Sequence, residues 1–208
     1  MAERLGLLGG TFDPVHIGHL VAAVNVRAAL GLDRVLLVVA NQPWQKSGRP
    51  LTPAEDRLAM VAAAVEGRHG LEASRIEIDR GGETFTADTL EQLVAEDHDR
   101  EIYLIVGSDV AADLDSWMRP DVVARLATLA VVGRPNPDPD SPSDLRIHPR
   151  WRVERVDMVP LAISSSDLRE RLHRGRPVDY LVPDGVIDLI RRRGLYAGGT
   201  MTTGSGGR

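Results

Sequence analysis

The chain has 208 residues, enough to bury a core in one domain without staples. Its net charge of −5 at pH 7 gives no compositional reason to expect a nucleic-acid partner. There is no cysteine, no charged-then-apolar signal segment and no apolar run near the roughly 18 residues of a membrane span, so disulfides, thiolate chemistry and a membrane setting are set aside and a soluble cytoplasmic protein is expected.

Residues 5–8 are a short apolar run of the kind that forms a buried strand, and residues 20–30 carry the three- and four-residue apolar spacing of a helix. Between them lies Gly9-Gly10-Thr11-Phe12-Asp13-Pro14-Val15-His16-Ile17-Gly18-His19, a strand-to-helix turn. Glycines let backbone approach a ligand closely, and a helix N-terminus offers unpaired N–H groups to an anion. His16 and His19 stand three residues apart, which puts both imidazoles on one side of the first turn. A glycine turn or a histidine pair alone is more often structural; the two within eleven residues read as a polyphosphate site.

Residues 34–39 are a β-branched apolar run, the pattern of a strand buried on both faces. The following loop, residues 40–51, is polar, interrupted by proline and long for its place, which favours a binding loop. It holds Lys46, the one lysine among 25 basic residues. Thr52-Pro53-Ala54-Glu55 reads as a capping box with proline at the first helical position, opening a helix to about residue 65. Residues 75–79 alternate and predict a half-exposed strand at a sheet edge. Thr86 is placed to cap a helix over residues 87–94 after the turn 81–85.

A buried strand at 102–106 ends in Gly107-Ser108-Asp109, where a carboxylate is well placed for a ribose hydroxyl. Trp117 precedes a helix opened by Arg119-Pro120-Asp121 and reaching about Leu126; a strand at 129–133 leads to Arg134. Residues 135–143 read as an exposed loop, 152–158 as a strand, 166–173 as a helix behind Ile163-Ser164-Ser165-Ser166, and 184–193 as a helix ended by Gly194. Residues 198–208 are Gly/Ser/Thr-rich and expected to be disordered, leaving one domain over residues 1–197. Strands alternate with helices, so the predicted class is α/β with a doubly wound parallel sheet. Residues 9–19, 41–46, 107–109 and 163–169 all follow strands, and therefore converge on the rim where such sheets bind ligands.

Residues 9–19 resemble the GxFDPxHxGH signature of the nucleotidylyltransferase superfamily at every fixed position, and Ile163-Ser164-Ser165-Ser166-Asp167-Leu168-Arg169 resembles its ISSTxxR motif, with Ser166 in place of the threonine. From about residue 4 to 197 the chain most resembles the bacterial nicotinate-nucleotide adenylyltransferase family. The resemblance implies a Rossmann-like fold and transfer of AMP from ATP to nicotinate mononucleotide in NAD biosynthesis, with Mg²⁺ bridging the phosphates. It implies that His16, His19 and Arg169 are catalytic, and that Gly9, Gly10, Thr11, Phe12, His16, His19, Gly107, Asp109, Ile163, Ser164, Ser165 and Arg169 bind ATP. For the acceptor it implies Trp117 against the nicotinate ring, Thr86 near its carboxylate, and Lys46 and Arg134 on the phosphate. It implies no dedicated protein metal site.

Structural alternatives stand beside several of these. Trp117 could be core, Thr86 only a cap, Arg134 a surface charge and the serines a plain N-cap cluster. The family's PPHK or PPHR loop is here Pro43-Trp44-Gln45-Lys46, which keeps the cation and loses an imidazole. A phosphopantetheine or choline-phosphate type of transferase is disfavoured by residues 81–86, Trp117 and the chain length. An RNA-binding synthetase-like protein is disfavoured by the absent KMSKS lysine and basic surface, and a non-catalytic sensor by the retained histidines. A homo-oligomer is left open.

Overall fold

The computed structural model describes residues 2–43, 51–133 and 147–197. The first strand, β1 (Arg4–Gly10), is followed by α1 (Ile17–Leu30), β2 (Arg34–Val39), a two-residue strand β3 (Gln42–Pro43), α2 (Ala54–Val65) and β4 (Leu71–Ser74). After these come α3 (Ile76–Arg80), β5 (Glu83–Thr84), α4 (Thr86–Glu96), β6 (Glu101–Gly107), α5 (Ser108–Ala111) and a 3₁₀ turn at Leu114–Ser116. The remainder is α6 (Pro120–Leu126), β7 (Ala127–Gly133), β8 (Val153–Asp157), α7 (Ser165–His173) and α8 (Asp184–Arg193).

Among the described residues, the main sheet has the strand order β4-β2-β1-β6-β7-β8, and every neighbouring pair is parallel. The chain works outward from β1 to one edge, returns, and works outward from β6 to the other. The direction of winding therefore reverses between β1 and β6. A crevice opens at such a switch point beyond the C-terminal strand ends, because the loops on either side lead to opposite faces.

Strand parity builds a core on each face. Val35, Leu37 and Val39 of β2 pack with Val26 of α1, Met60 and Val61 of α2, Leu168 of α7 and Val186 and Ile190 of α8. Leu36 and Val38 of β2, together with Ile102 and Leu104 of β6, pack with Leu90 and Leu93 of α4 and Val123 of α6. Both sides of these strands are thus covered, which is why they are continuously apolar. No helix among the described residues is long and apolar enough to cross a membrane.

Several boundaries differ from the sequence expectation. The predicted strand at 75–79 is the short helix α3, and the edge strand is Leu71–Ser74 instead. Five residues are too few for alternation to be told from a helical turn. Here Arg75 pairs with Asp79 at helical i,i+4 spacing, while Glu77 is buried. Pro53 rather than Thr52 holds the N-cap position of α2, and no side chain caps it. Thr86 is the first residue of α4, with Phe85 in the N-cap position, so it is not the cap. Helix α1 starts a turn earlier than predicted, with His16 at its N-cap. Gly194 ends α8 in the left-handed conformation, as its glycine anticipates.

Candidate functional site

The turn between β1 and α1 is packed from beneath. Phe12, only 1% exposed, meets the His19 ring edge-on at 5.0 Å between centroids. It can therefore face a ligand through its backbone alone. His16 and His19 stack at 3.7 Å, and the His16 backbone N–H donates to His19 Nδ1 at 3.2 Å. An accepting Nδ1 puts the proton of a neutral His19 on Nε2, which makes that nitrogen a donor. His16 is 6% exposed, and its Nδ1 has no hydrogen-bond partner. Burial pushes its pKa down to about 4, so the ring is neutral at neutral pH. A Cβ added at Gly18 would lie 3.0 Å from His16 Nδ1, so the histidine's position relies on that glycine.

The second motif is tied directly to this turn. Ser164 caps α7 by accepting from the Asp167 N–H, at 3.1 Å. Ser165 Oγ donates to the Pro14 carbonyl at 2.9 Å, and Arg169 Nη1 donates to the Asp13 carbonyl at 2.6 Å. Arg169 Nη2 also reaches Ser166 Oγ at 3.2 Å. Segments far apart in sequence thus place a guanidinium and a serine hydroxyl against the turn that carries both imidazoles. Ile163 leads into α7, its N–H bonded to the Leu161 carbonyl.

Beside the turn, a cavity of about 280 Å³ opens at the β1/β6 switch point. Gly9, Gly10 and Thr11 line one part, Gly107 another, and Thr86 and Trp117 a third. A Cβ on Gly9 would meet nothing within 4 Å, so the absent side chain leaves open space on the cavity side of the loop. The structure therefore gathers predicted nucleotide and acceptor residues into one crevice. Asp109 is exposed, in the first turn of α5 just past Gly107. Lys46 and Arg134, with Trp44 and Gln45, lie outside the described residues. The root of their loop is described: β3 pairs with β5, which brings Pro43 beside Thr84 at the cavity.

A family model described as cytidylyltransferase-like matches residues 7–171. The probable nicotinate-nucleotide adenylyltransferase of Frankia casuarinae is 46% identical, covering 92% of this chain and 99% of that protein. That of Saccharopolyspora erythraea is 43% identical, covering 94% of this chain and 91% of that protein. The chain belongs to the nicotinate-nucleotide adenylyltransferase family. Among solved structures, Plasmodium falciparum nicotinic acid mononucleotide adenylyltransferase complexed with NaAD superposes with a TM-score of 0.75, covering 93% of this chain and 97% of that one. The same protein complexed with APC gives 0.73. At 18% identity these likenesses speak to the fold, which is the Rossmann-like nucleotidylyltransferase fold.

Three residues escape the sequence reading of this family member. Arg57, 1% exposed, donates to four backbone carbonyls: Thr11 and Thr52 at 2.8 Å, Ala40 at 2.7 Å and Asn41 at 3.0 Å. It joins the glycine turn to the end of β2 and to the approach to α2. Burial lowers its pKa, opposed by Asp13 and Tyr196, and the guanidinium stays charged. A signal was available, since Arg57 stands three and four residues before buried Met60 and Val61 on the apolar stripe of α2. Tyr196 donates to Asp13 Oδ1 at 2.6 Å, and burial, then this bond, push its pKa up. Glu77 lines the cavity and accepts from Thr89 Oγ1 at 2.7 Å; burial raises its pKa against that bond and Arg80. For Tyr196 and Glu77, local sequence holds no comparable signal.

Proposed function

We infer that the residues gathered at the switch point carry out adenylyl transfer in NAD biosynthesis: AMP moves from ATP to nicotinate mononucleotide, giving nicotinate adenine dinucleotide and pyrophosphate. The observation that carries this reading is the tie between the two motifs, Ser165 to Pro14 and Arg169 to Asp13, beside the stacked His16 and His19. In the reaction, a phosphate oxygen of the mononucleotide forms a bond to the α-phosphorus of ATP, and the bond from that phosphorus to the bridging oxygen breaks. No protein nucleophile is needed; positioning and stabilisation of developing negative charge suffice.

His19 supplies an Nε2–H donor to the ATP phosphates, and His16 holds it through their stacking and backbone bond. Arg169 and Ser165 hold the β- and γ-phosphates, the guanidinium offering a planar fork and Ser165 its backbone N–H in the first turn of α7. Backbone at Gly9, Gly10, Thr11 and Phe12, the start of α7 at Ile163 and Ser164, and Gly107 and Asp109 receive the rest of the nucleotide. The acceptor's ring lies in the cavity against Trp117, and its carboxylate near Thr86, where the N-terminus of α4 favours an anion. Lys46 and Arg134 meet the acceptor phosphate.

Imidazoles, hydroxyls and a guanidinium suit phosphate oxygens. Among the described residues no group of three or more His, Asp or Glu could hold a metal ion. Mg²⁺ would come in with ATP as part of that substrate, where it would supply positive charge to the phosphates. The deciding experiment is pyrophosphate release with ATP and Mg²⁺, offering nicotinate mononucleotide, nicotinamide mononucleotide or phosphopantetheine. Release with nicotinate mononucleotide is the expected result, and release with phosphopantetheine alone would overturn the acceptor assignment.

A further inference from the structure

Arg119 adopts a left-handed backbone, φ 53° and ψ 57°, immediately before Pro120. That conformation is costly for a residue with a Cβ, and the position before proline restricts it further. Glycine or asparagine would ordinarily stand there, so the arginine side chain needs a reason. Its partners supply one. Arg119 Nη1 lies 3.1 Å from both Glu91 carboxylate oxygens, and Nη2 bonds Asp88.

Asp88 and Glu91 belong to α4, whose first residue, Thr86, lines the cavity; Trp117 and Met118, just before Arg119, line it too. The backbone of Arg119 also starts α6, its carbonyl accepting from the Val122 and Val123 N–H groups at 3.1 and 3.3 Å. One residue therefore fixes the end of the Trp117–Met118 segment by its backbone and joins that segment to α4 by its side chain. Met118 is 54% exposed and carries little burial of its own to hold the segment.

We propose that Arg119 is a positioning residue for the acceptor, setting the spacing between the Trp117–Met118 wall and the Thr86 wall through its ion pairs with Asp88 and Glu91. This rests on the reading that the acceptor's ring lies against Trp117. The residues its pairs connect, Thr86 at the start of α4 and Trp117, are those assigned to the acceptor, so the effect should fall on KM for that substrate.

The test compares steady-state KM values for both substrates, and Tm, in Arg119→Met, Arg119→Gly, the Asp88→Asn/Glu91→Gln double variant, the combination of Arg119→Met with that double variant, and Trp117→Ala. Arg119→Met is expected to raise KM for nicotinate mononucleotide by roughly threefold to tenfold, the range two exposed charge pairs can supply. KM for ATP and Tm should hold. Arg119→Gly, which relieves the backbone strain, should show the same rise because the side chain is what matters. The acidic double variant should match it, and combining it with Arg119→Met should add nothing further.

Unchanged KM for the mononucleotide in Arg119→Met, beside a raised value in Trp117→Ala, would overturn the role of Arg119 and leave the pocket reading standing. Unchanged KM in Trp117→Ala would overturn the pocket reading and the role of Arg119 with it. A parallel rise in both KM values with a fall in Tm would show a general structural residue and also overturn the proposal.

Discussion

Replacing Arg57 with methionine keeps a long side chain in the apolar stripe of α2 and removes every donor to the carbonyls of Thr11, Ala40, Asn41 and Thr52. A buried carbonyl left unpaired costs about 1–3 kcal/mol. Only Ala40 of the four is fully buried, so water can reach the others in part and the low end applies. Four such losses come to ~4 kcal/mol, offset by ~1 kcal/mol because a charge no longer has to be held out of water. The expected loss is then ~3 kcal/mol, a large part of the ~5–15 kcal/mol of a whole domain. Urea unfolding followed by circular dichroism measures it. Turnover, measured at a temperature where the variant stays folded, should drop more than the fraction unfolded explains, because the Thr11 and Asn41 segments both border the site. Arg57→Lys, with three donors and no planar fork, should fall between the two. A loss below ~1 kcal/mol with normal turnover would refute the idea that this guanidinium organises the rim.

Tyr196→Phe deletes the bond to Asp13 Oδ1 and should cost about 1–3 kcal/mol, read from the same urea transitions; a cost near zero would mean that the C-terminal segment does not support the turn. His16, held near pKa 4 by burial, takes up its proton in the unfolded chain at about 6.5, so between those values the unfolded state binds more protons. Its contribution to stability is complete above pH 6.5 and is lost as pH falls through that window. About 2 kcal/mol should be gone at pH 5, and a His16→Gln variant should lack that part of the pH dependence; identical slopes in the two proteins would refute it. His19→Ala should reduce pyrophosphate release by orders of magnitude while circular dichroism shows the fold intact, and near-normal turnover would remove the mechanism.

What sequence alone determined was the local chemistry. Residues 9–19 and 163–169 each carry their own backbone demands, glycines, a helix start and a serine cap, so their form is legible without knowing their neighbours. The apolar strands β1, β2, β6 and β7 are equally plain, because burial on both faces leaves a continuous run that only a covered parallel sheet explains. Residues 75–79 mislead because the same five side chains satisfy a strand and a helical turn, and pairing of Leu71–Ser74 with β2 decides between them. Thr86 shifts from cap to first helical residue for the same kind of reason: boundary positions depend on what the preceding strand pairs with. Tertiary structure alone decided that Arg57 reaches four carbonyls, that Tyr196 meets Asp13, and that Trp117 and Thr86 border one cavity. These are contacts between segments distant in sequence, and their energies come from burial and geometry that exist only after the sheet has brought the segments together.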